Sequence, residues 1–408
     1  MLFEKRKINF TKLIERISLS QDLMVFGQGK PSYHALRVGF ISLIIANELN
    51  FERRDRIDLY LASLLHDIGA ATTEGGMLLE TDRNSINLLT HARLGYEILS
   101  QIPFCDRLAE IVKDHHKEDT QNLLSLIILF ADEVDVISRT TYYDNPKKLA
   151  SKVFEKFKEK TNFKNILDAF LSAVQNDAFL MMLYNPDEIA YFLPSYVEER
   201  FLVLDDIQLM ELAKAIAQNF IDKKSEFTLT HSIDVAYTAS SIAKNLGFGE
   251  YECNRLKIAG FLHDIGKLFV PTSILDFNGK LEGKDWFTMK SHAYYTFSFL
   301  KKLNLDEEII KIASHHHEYL DGSGYPFALD RTQLSIFDQI LTVADIYSAL
   351  RQVRPYRPHS LSYTQAIEIL NDLALKDKIN KSIVDAIPST IKFWRYWCSA
   401  LKSYFIYK

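Results

Sequence analysis

The chain has 408 residues, 47% hydrophobic and 25% charged, the profile of a globular protein of two or three domains. Its 48 basic and 53 acidic residues give a formal net charge of −5, which argues against a general DNA or RNA binder but leaves room for a small anionic ligand in a local basic pocket. Three distant cysteines, Cys105, Cys253 and Cys398, suggest neither a disulfide framework nor a zinc knuckle and fit a reducing, cytoplasmic compartment.

In chain order, Met1–Phe10 is charged and lacks an apolar signal core. No run of about 18 apolar residues follows, so no membrane span is expected. Apolar residues recur at three- and four-residue steps over Val38–Leu49 and Leu59–Leu65, predicting helices. The strongly basic Lys147–Lys164 predicts a solvated helix, and Asn185-Pro186-Asp187 and Pro194 are breaks. A domain boundary is placed near residue 200, giving domains 1–200 and 201–408. Ile207–Lys223 then reads as a helix leading into the second half, where Val235–Leu246 and Leu256–Leu262 repeat the helical steps. Strand-like alternation is scarce, so the expected fold is all-α. The aromatic, basic tail Ile391–Lys408 predicts a helix packed on the body.

The histidines reveal an internal repeat. Ten of the twelve fall into two ordered sets: His34, His66, His91, His115 and His116, then His231, His263, His292, His316 and His317. The offset is 197 for the first two pairs and 201 for the others. Leu65-His66-Asp67-Ile68-Gly69 returns as Leu262-His263-Asp264-Ile265-Gly266, and Ala131-Asp132 returns as Ala344-Asp345 at an offset of 213. Twelve residues have therefore been added after the second His-His pair, and they hold Gly322–Pro326.

A string of imidazoles with two carboxylates suits a metal. Two metals about 3.5–4 Å apart clamp a phosphate, and a carboxylate with two separate oxygens bridges them. A single His-Asp pair is weak, since most are caps or surface features, but the ordered set repeated twice is strong. Asp345 lies in an apolar helix, where an unpaired carboxylate is expensive without a cation.

The second copy resembles an HD-GYP domain, a subset of the HD metal-dependent phosphohydrolases. The resemblance rests on His263-Asp264-Ile265-Gly266-Lys267, on His316-His317-Glu318-x-x-Asp321-Gly322-x-Gly324-Tyr325-Pro326, and on Ala344-Asp345-Ile346-Tyr347 with Arg354-Pro355-Tyr356-Arg357. It implies two tandem HD-type helical bundles and hydrolysis of a cyclic dinucleotide, cyclic di-GMP or cyclic GMP-AMP, to the linear dinucleotide. It further implies that His231, His263, Asp264 and Asp345 hold one divalent metal, and that Asp264, His292, His316 and His317 hold the other, with iron or manganese expected. His315 is left out of the set. Lys267 and Asp264 are the expected catalytic residues. Arg354, Arg357, Tyr356, Gly322 and Gly324 are expected at the substrate, the glycines keeping the cleft open. A third metal in some members uses a Glu four residues before the first His, but Phe227 stands there, with Glu226 one place early, so a binuclear centre is favoured.

The first copy keeps His34, His66, Asp67, His91, His115, His116 and Asp132 but has Ala70 for the lysine, Lys117 for the glutamate and no Gly-Tyr-Pro insertion. It resembles a plain HD domain: a metal-binding inactive partner, a sensor, or a second phosphohydrolase. For the whole chain, a cyclic-dinucleotide receptor or an HD enzyme for another nucleotide phosphate are the alternatives to a phosphodiesterase. A signalling protein of the diguanylate-cyclase type is a candidate partner, and a homodimer a candidate assembly.

Overall fold

The computed structural model describes residues 5–25, 32–71, 85–141, 148–225, 228–353, 357 and 359–389. Glu226, Phe227, Arg354, Tyr356 and the tail Ile391–Lys408 lie outside them, so the expectations placed on those residues do too.

The periodic stretches of the sequence become helices that recur in the same order in each half. The first half has α1 (Phe10–Val25), α2 (His34–Glu48), α3 (Arg53–Leu65), α4 (Ser85–Leu99), α5 (Asp106–Lys113) and α6 (Leu123–Thr141). It continues with α7 (Lys148–Phe157), α8 (Lys164–Ala173), α9 (Asp177–Leu183) and α10 (Pro186–Phe192). The second half has α11 (Asp206–Ile216), α12 (His231–Asn245), α13 (Glu250–Leu262), α14 (Thr272–Leu275), α15 (Gly283–Lys302), α16 (Glu307–Ser314), α17 (Ile336–Leu350), α18 (Tyr363–Leu375) and α19 (Lys381–Asp385). The paired helices α2/α12, α3/α13 and α5/α16 have identical lengths of 15, 13 and 8 residues. Among the described residues the only strands are β1 (Arg6–Asn9) and β2 (Phe201–Leu204), which pair with each other.

Two compact units result. One spans Asn9–Leu202; the other begins at Val203 and also takes in the start of the chain, up to Ile8. In that second unit Arg6 is buried and ion-paired with Asp206 and Asp306, and Asn304 donates to the Lys7 carbonyl at 2.9 Å.

Each unit is built around its first histidine-bearing helix. In α2, Val38, Phe40, Ile41, Leu43 and Ile45 are fully buried, so burial extends round the helix rather than along one stripe. Helix α12 packs on α13 and α17 in the same way that α2 packs on α3 and α6. Capping boxes at Ser335–Asp338 and Ser362–Gln365 start α17 and α18 by satisfying their first amides. The basic stretch expected to be one solvated helix is two. Helix α7 ends at Phe157, and its Leu149, Val153 and Phe157 are buried, so only part of it faces solvent. The stretch read as Ile207–Lys223 is α-helical to Ile216, then turns through a π segment and a 3-10 turn ending at Lys224.

Candidate metal centre

His263 is the residue just past the end of α13, and Asp264 leaves the helix with φ −98° and ψ 10° before a 3-10 turn, Ile265–Phe269. A continuous helix would throw adjacent side chains about 100° apart. Ending the helix between them lets both point to one place. Gly266 makes the turn fit: a Cβ there would stand 1.9 Å from the His292 carbonyl oxygen. Half-buried Lys224 supports the turn from behind, donating to the carbonyls of Lys267 and Leu268 at 2.7 Å each.

Seven other side chains gather around Asp264. Its Oδ2 lies 3.2 Å from His263 Nε2 and 3.6 Å from His231 Nε2. Its Oδ1 lies 3.5 Å from His292 Nε2 and 3.8 Å from His316 Nε2. Asp345 comes from α17, with Oδ1 3.0 Å from His231 and Oδ2 3.9 Å from His317. Lys267 Nζ donates to Asp264 Oδ2 at 2.5 Å. The two oxygens of Asp264 thus face two different histidine pairs, the geometry of a bridging carboxylate.

Hydrogen bonds on the outer ring nitrogens aim the inner ones. His263, His292 and His316 donate from Nδ1 to the carbonyls of Gly260, Met289 and Ala313, at 2.8, 2.6 and 2.7 Å. Each Nε2 is left as an acceptor facing inward, as a metal ligand requires. Buried His263 Nε2 and Asp264 Oδ1 have no hydrogen-bond partner, and a cation would repay that cost. Burial pushes His317 down to about 3, helped by charge on His292, and burial pushes His292 down to about 4. Both imidazoles are therefore neutral at pH 7, the form that binds metal. Burial works to raise Asp264, but His263 and Lys267 overcome it and hold the carboxylate well below its usual range. A donor set of imidazoles and carboxylates fits divalent metal ions.

The first unit repeats the arrangement. Asp67 Oδ2 lies 3.4 Å from His66 and 3.5 Å from His34, and its Oδ1 lies 3.2 Å from His91. His115 and His116 reach His91 Nε2 at 3.2 and 3.0 Å, and Asp132 lies 3.3 Å from His34. All seven expected residues of each copy are brought together.

The two centres differ behind their first histidine. His34 Nδ1 donates to buried Asp135 at 2.8 Å, and Arg37 and Arg139 bind the same carboxylate. His231 Nδ1 donates instead to the neutral Gln352 side chain at 3.0 Å, which donates onward to Asp234 at 2.6 Å. Sequence reading missed Asp135 and Gln352. Asp135 follows Asp132 by one helical turn, which is a signal; Gln352 leaves none.

The inserted loop is organised by Glu318, fully buried, whose carboxylate accepts from the amides of Phe327 and Leu329 at 2.7 and 3.0 Å. Gly322 has a left-handed φ of 74°. Gly324 packs on the backbone of His317 and Glu318, where a Cβ would stand 2.4 Å from the Glu318 Cα. Both glycines thus have a geometric reason in the folding of the loop. Tyr325 packs against His317 with ring centroids 4.7 Å apart and the planes tilted by 35°. His315 turns away to Asp338, at 3.2 Å. Arg357 donates to the carbonyls of Ala349 and Gln352, at the end of α17.

The HD domain family matches the chain twice, over residues 32–137 and over residues 215–383. The 3'3'-cGAMP-specific phosphodiesterase 1 of Vibrio cholerae is 26% identical over 87% of this chain and 86% of its own. The 3'3'-cGAMP-specific phosphodiesterase 3 of that organism is 36% identical over 49% of this chain, which spans 43% of that relative. The crystal structure of a cyclic GMP-AMP specific phosphodiesterase of V. cholerae shares the fold, with a TM-score of 0.59 at 22% identity, covering 96% of this chain and 99% of that one.

Proposed function

This chain belongs to the HD domain family, as two HD domains in tandem with the second of the HD-GYP kind, and from that membership we propose that it hydrolyses a cyclic dinucleotide, opening one phosphodiester to leave the linear dinucleotide. The observation that carries the proposal is Asp264, whose two oxygens face separate histidine pairs. Cyclic GMP-AMP is the first substrate to test, because the relative matched over most of both chains is named for it, and cyclic di-GMP is the second.

His231, His263, Asp264 and Asp345 would hold one divalent metal, and Asp264, His292, His316 and His317 the other. When bound, such a pair supplies Lewis-acid charge at the phosphate and makes water acidic enough to attack it near neutral pH. Lys267 adds positive charge beside Asp264, where the phosphoryl oxygens become more negative in the transition state. Gln352 fixes the His231 ring through Nδ1, and the 3.0 Å approach of Asp345 Oδ1 to His231 Nε2 brings the two close enough to share a metal. Free, separated cysteines and a nucleotide substrate fit a cytoplasmic enzyme.

The first centre keeps the ligand set, while buried Ala70 stands where the second has Lys267, and it has no counterpart of the Gly-Tyr-Pro loop. We infer that it binds metal without turning over this substrate.

The test is metal-loaded protein incubated with each cyclic dinucleotide, with products separated by chromatography. The expected product is the linear dinucleotide, with turnover and bound metal lost together in Asp264→Ala. Hydrolysis that survives Asp264→Ala would remove the reading. Metal analysis of Asp67→Ala should show a lower content than wild type, and an unchanged content would remove the claim for the first centre.

A further inference from the structure

The aromatic contacts around the second centre continue beyond its ligands. Tyr325, packed against His317, is met by the Trp286 ring edge-on at 5.9 Å. Lys290 Nζ stands 5.7 Å from the Trp286 ring and 5.9 Å from the Tyr325 ring. Trp286 and Lys290 are four residues apart on α15, one above the other on one face, and the same helix delivers His292 from another.

This group does not read as core. Trp286 is 42% exposed, so part of its ring is open to a ligand. Nor does it belong to the shared metal scaffold. At the His91-to-His292 offset of 201, the first copy has Ser85 and Leu89 in place of Trp286 and Lys290, and it has no loop to supply a Tyr325. The pair and the loop therefore occur together in the second copy.

A cyclic dinucleotide presents two phosphodiesters and two bases, and only one phosphodiester can sit at the metal ligands. The remainder has to lie along the rim. An indole wall stacks on any base through its π face. An ammonium beside it is a point charge for an anion. We propose that Trp286 and Lys290, set off from the metal ligands by Tyr325, form the subsite for the part of the substrate that is not cut. A base stacks on Trp286, and Lys290 contacts the second phosphodiester. The proposal rests on the cyclic-dinucleotide reading.

The experiment compares wild type, Trp286→Ala, Trp286→Phe and Lys290→Met on 3'3'-cGAMP and on bis(4-nitrophenyl) phosphate, which has one phosphodiester and no base. Trp286→Ala should raise KM for the cyclic dinucleotide about tenfold with little change in kcat, and Trp286→Phe should recover most of the loss. Lys290→Met should raise KM several-fold and make it less sensitive to added salt. Neither should alter metal content or hydrolysis of the small diester by more than about twofold, the scatter expected of a site outside the reacting centre. If KM for the cyclic dinucleotide does not move, the subsite is wrong. If both substrates suffer alike, the residues support the centre itself and the subsite is equally wrong. Wild type that cuts the small diester but no cyclic dinucleotide would overturn the substrate reading, and the subsite with it.

Discussion

Asp222 is a buried acid that the proposed reaction does not use. Its Oδ1 accepts from the Ser232 amide and hydroxyl at 3.2 and 2.7 Å, while Oδ2 has no partner. Burial, aided by the charge of Asp264, pushes its carboxyl up to about 7 against those hydrogen bonds. The sign follows from proton counting. Between the ordinary carboxyl value near 4 and about 7, the folded protein holds a proton that the unfolded chain has released, so stability falls as pH rises through that window and is flat above it. The full effect is roughly 4 kcal/mol at most. In metal-free protein, Asp222→Asn should gain in Tm relative to wild type as pH goes from 5 to 8. A Tm difference that does not vary with pH would show that Asp222 is ionised in the fold. Cys105 gives a simpler check: it is fully buried, and burial pushes its thiol up to about 12, so thiol reagents at pH 8 should label it only after unfolding.

The element that decides the chemistry is the junction of α13 with its 3-10 turn. There Gly266 lies against the His292 carbonyl, and in the first unit Gly69 lies against the His91 carbonyl with 2.0 Å to an added Cβ. Backbone cannot yield to a Cβ at such distances without separating the Asp-bearing turn from the next ligand helix. Gly266→Ala should cost about 1–3 kcal/mol or more and reduce metal at the second centre. Gly69→Ala should do the same at the first centre and leave cyclic-dinucleotide hydrolysis in place. Metal analysis with a urea melt distinguishes the two, and normal metal and stability in either variant would contradict the packing described. The legibility of the site follows from the same element. His263, Asp264 and Gly266 are consecutive or nearly so, and each is a residue type with few substitutes, so they mark the sequence. Glu318 was read as part of the motif, but its work of holding the Phe327 and Leu329 amides could be seen only once the loop was closed. Gln352 meets His231 across 121 residues, and Trp286 and Lys290 meet Tyr325 of the inserted loop only in the folded chain.

At the scale of the whole molecule, the repeat visible in the histidine offsets is the repeat of the helices. Helix starts at 34 and 53 return at 231 and 250, and those at 106 and 123 return at 307 and 336. What the pattern could not disclose is that residues 5–8 fold with the second unit. Their anchor is Arg6, whose pairs with Asp206 and Asp306 are far away in sequence; Asp306 is shared with Arg255 at 3.0 Å. Arg6→Ala would leave buried acid uncompensated and should destabilise this unit by about 3–5 kcal/mol. Hydrogen exchange should show the loss across residues 206–306, with residues 34–141 unchanged. Equal protection in both proteins would mean that the anchor is dispensable.

That placement of Arg6 also sets a clock. Arg6 cannot complete its pairs until Asp206 and Asp306 have been made, roughly 15–60 s after it at 5–20 residues per second. During that interval Ile8, which ends 1% exposed, travels without its final partners from the second unit. The second unit therefore closes with a segment older than anything else in it, and anything fused ahead of Arg6 would be carried to that closing step.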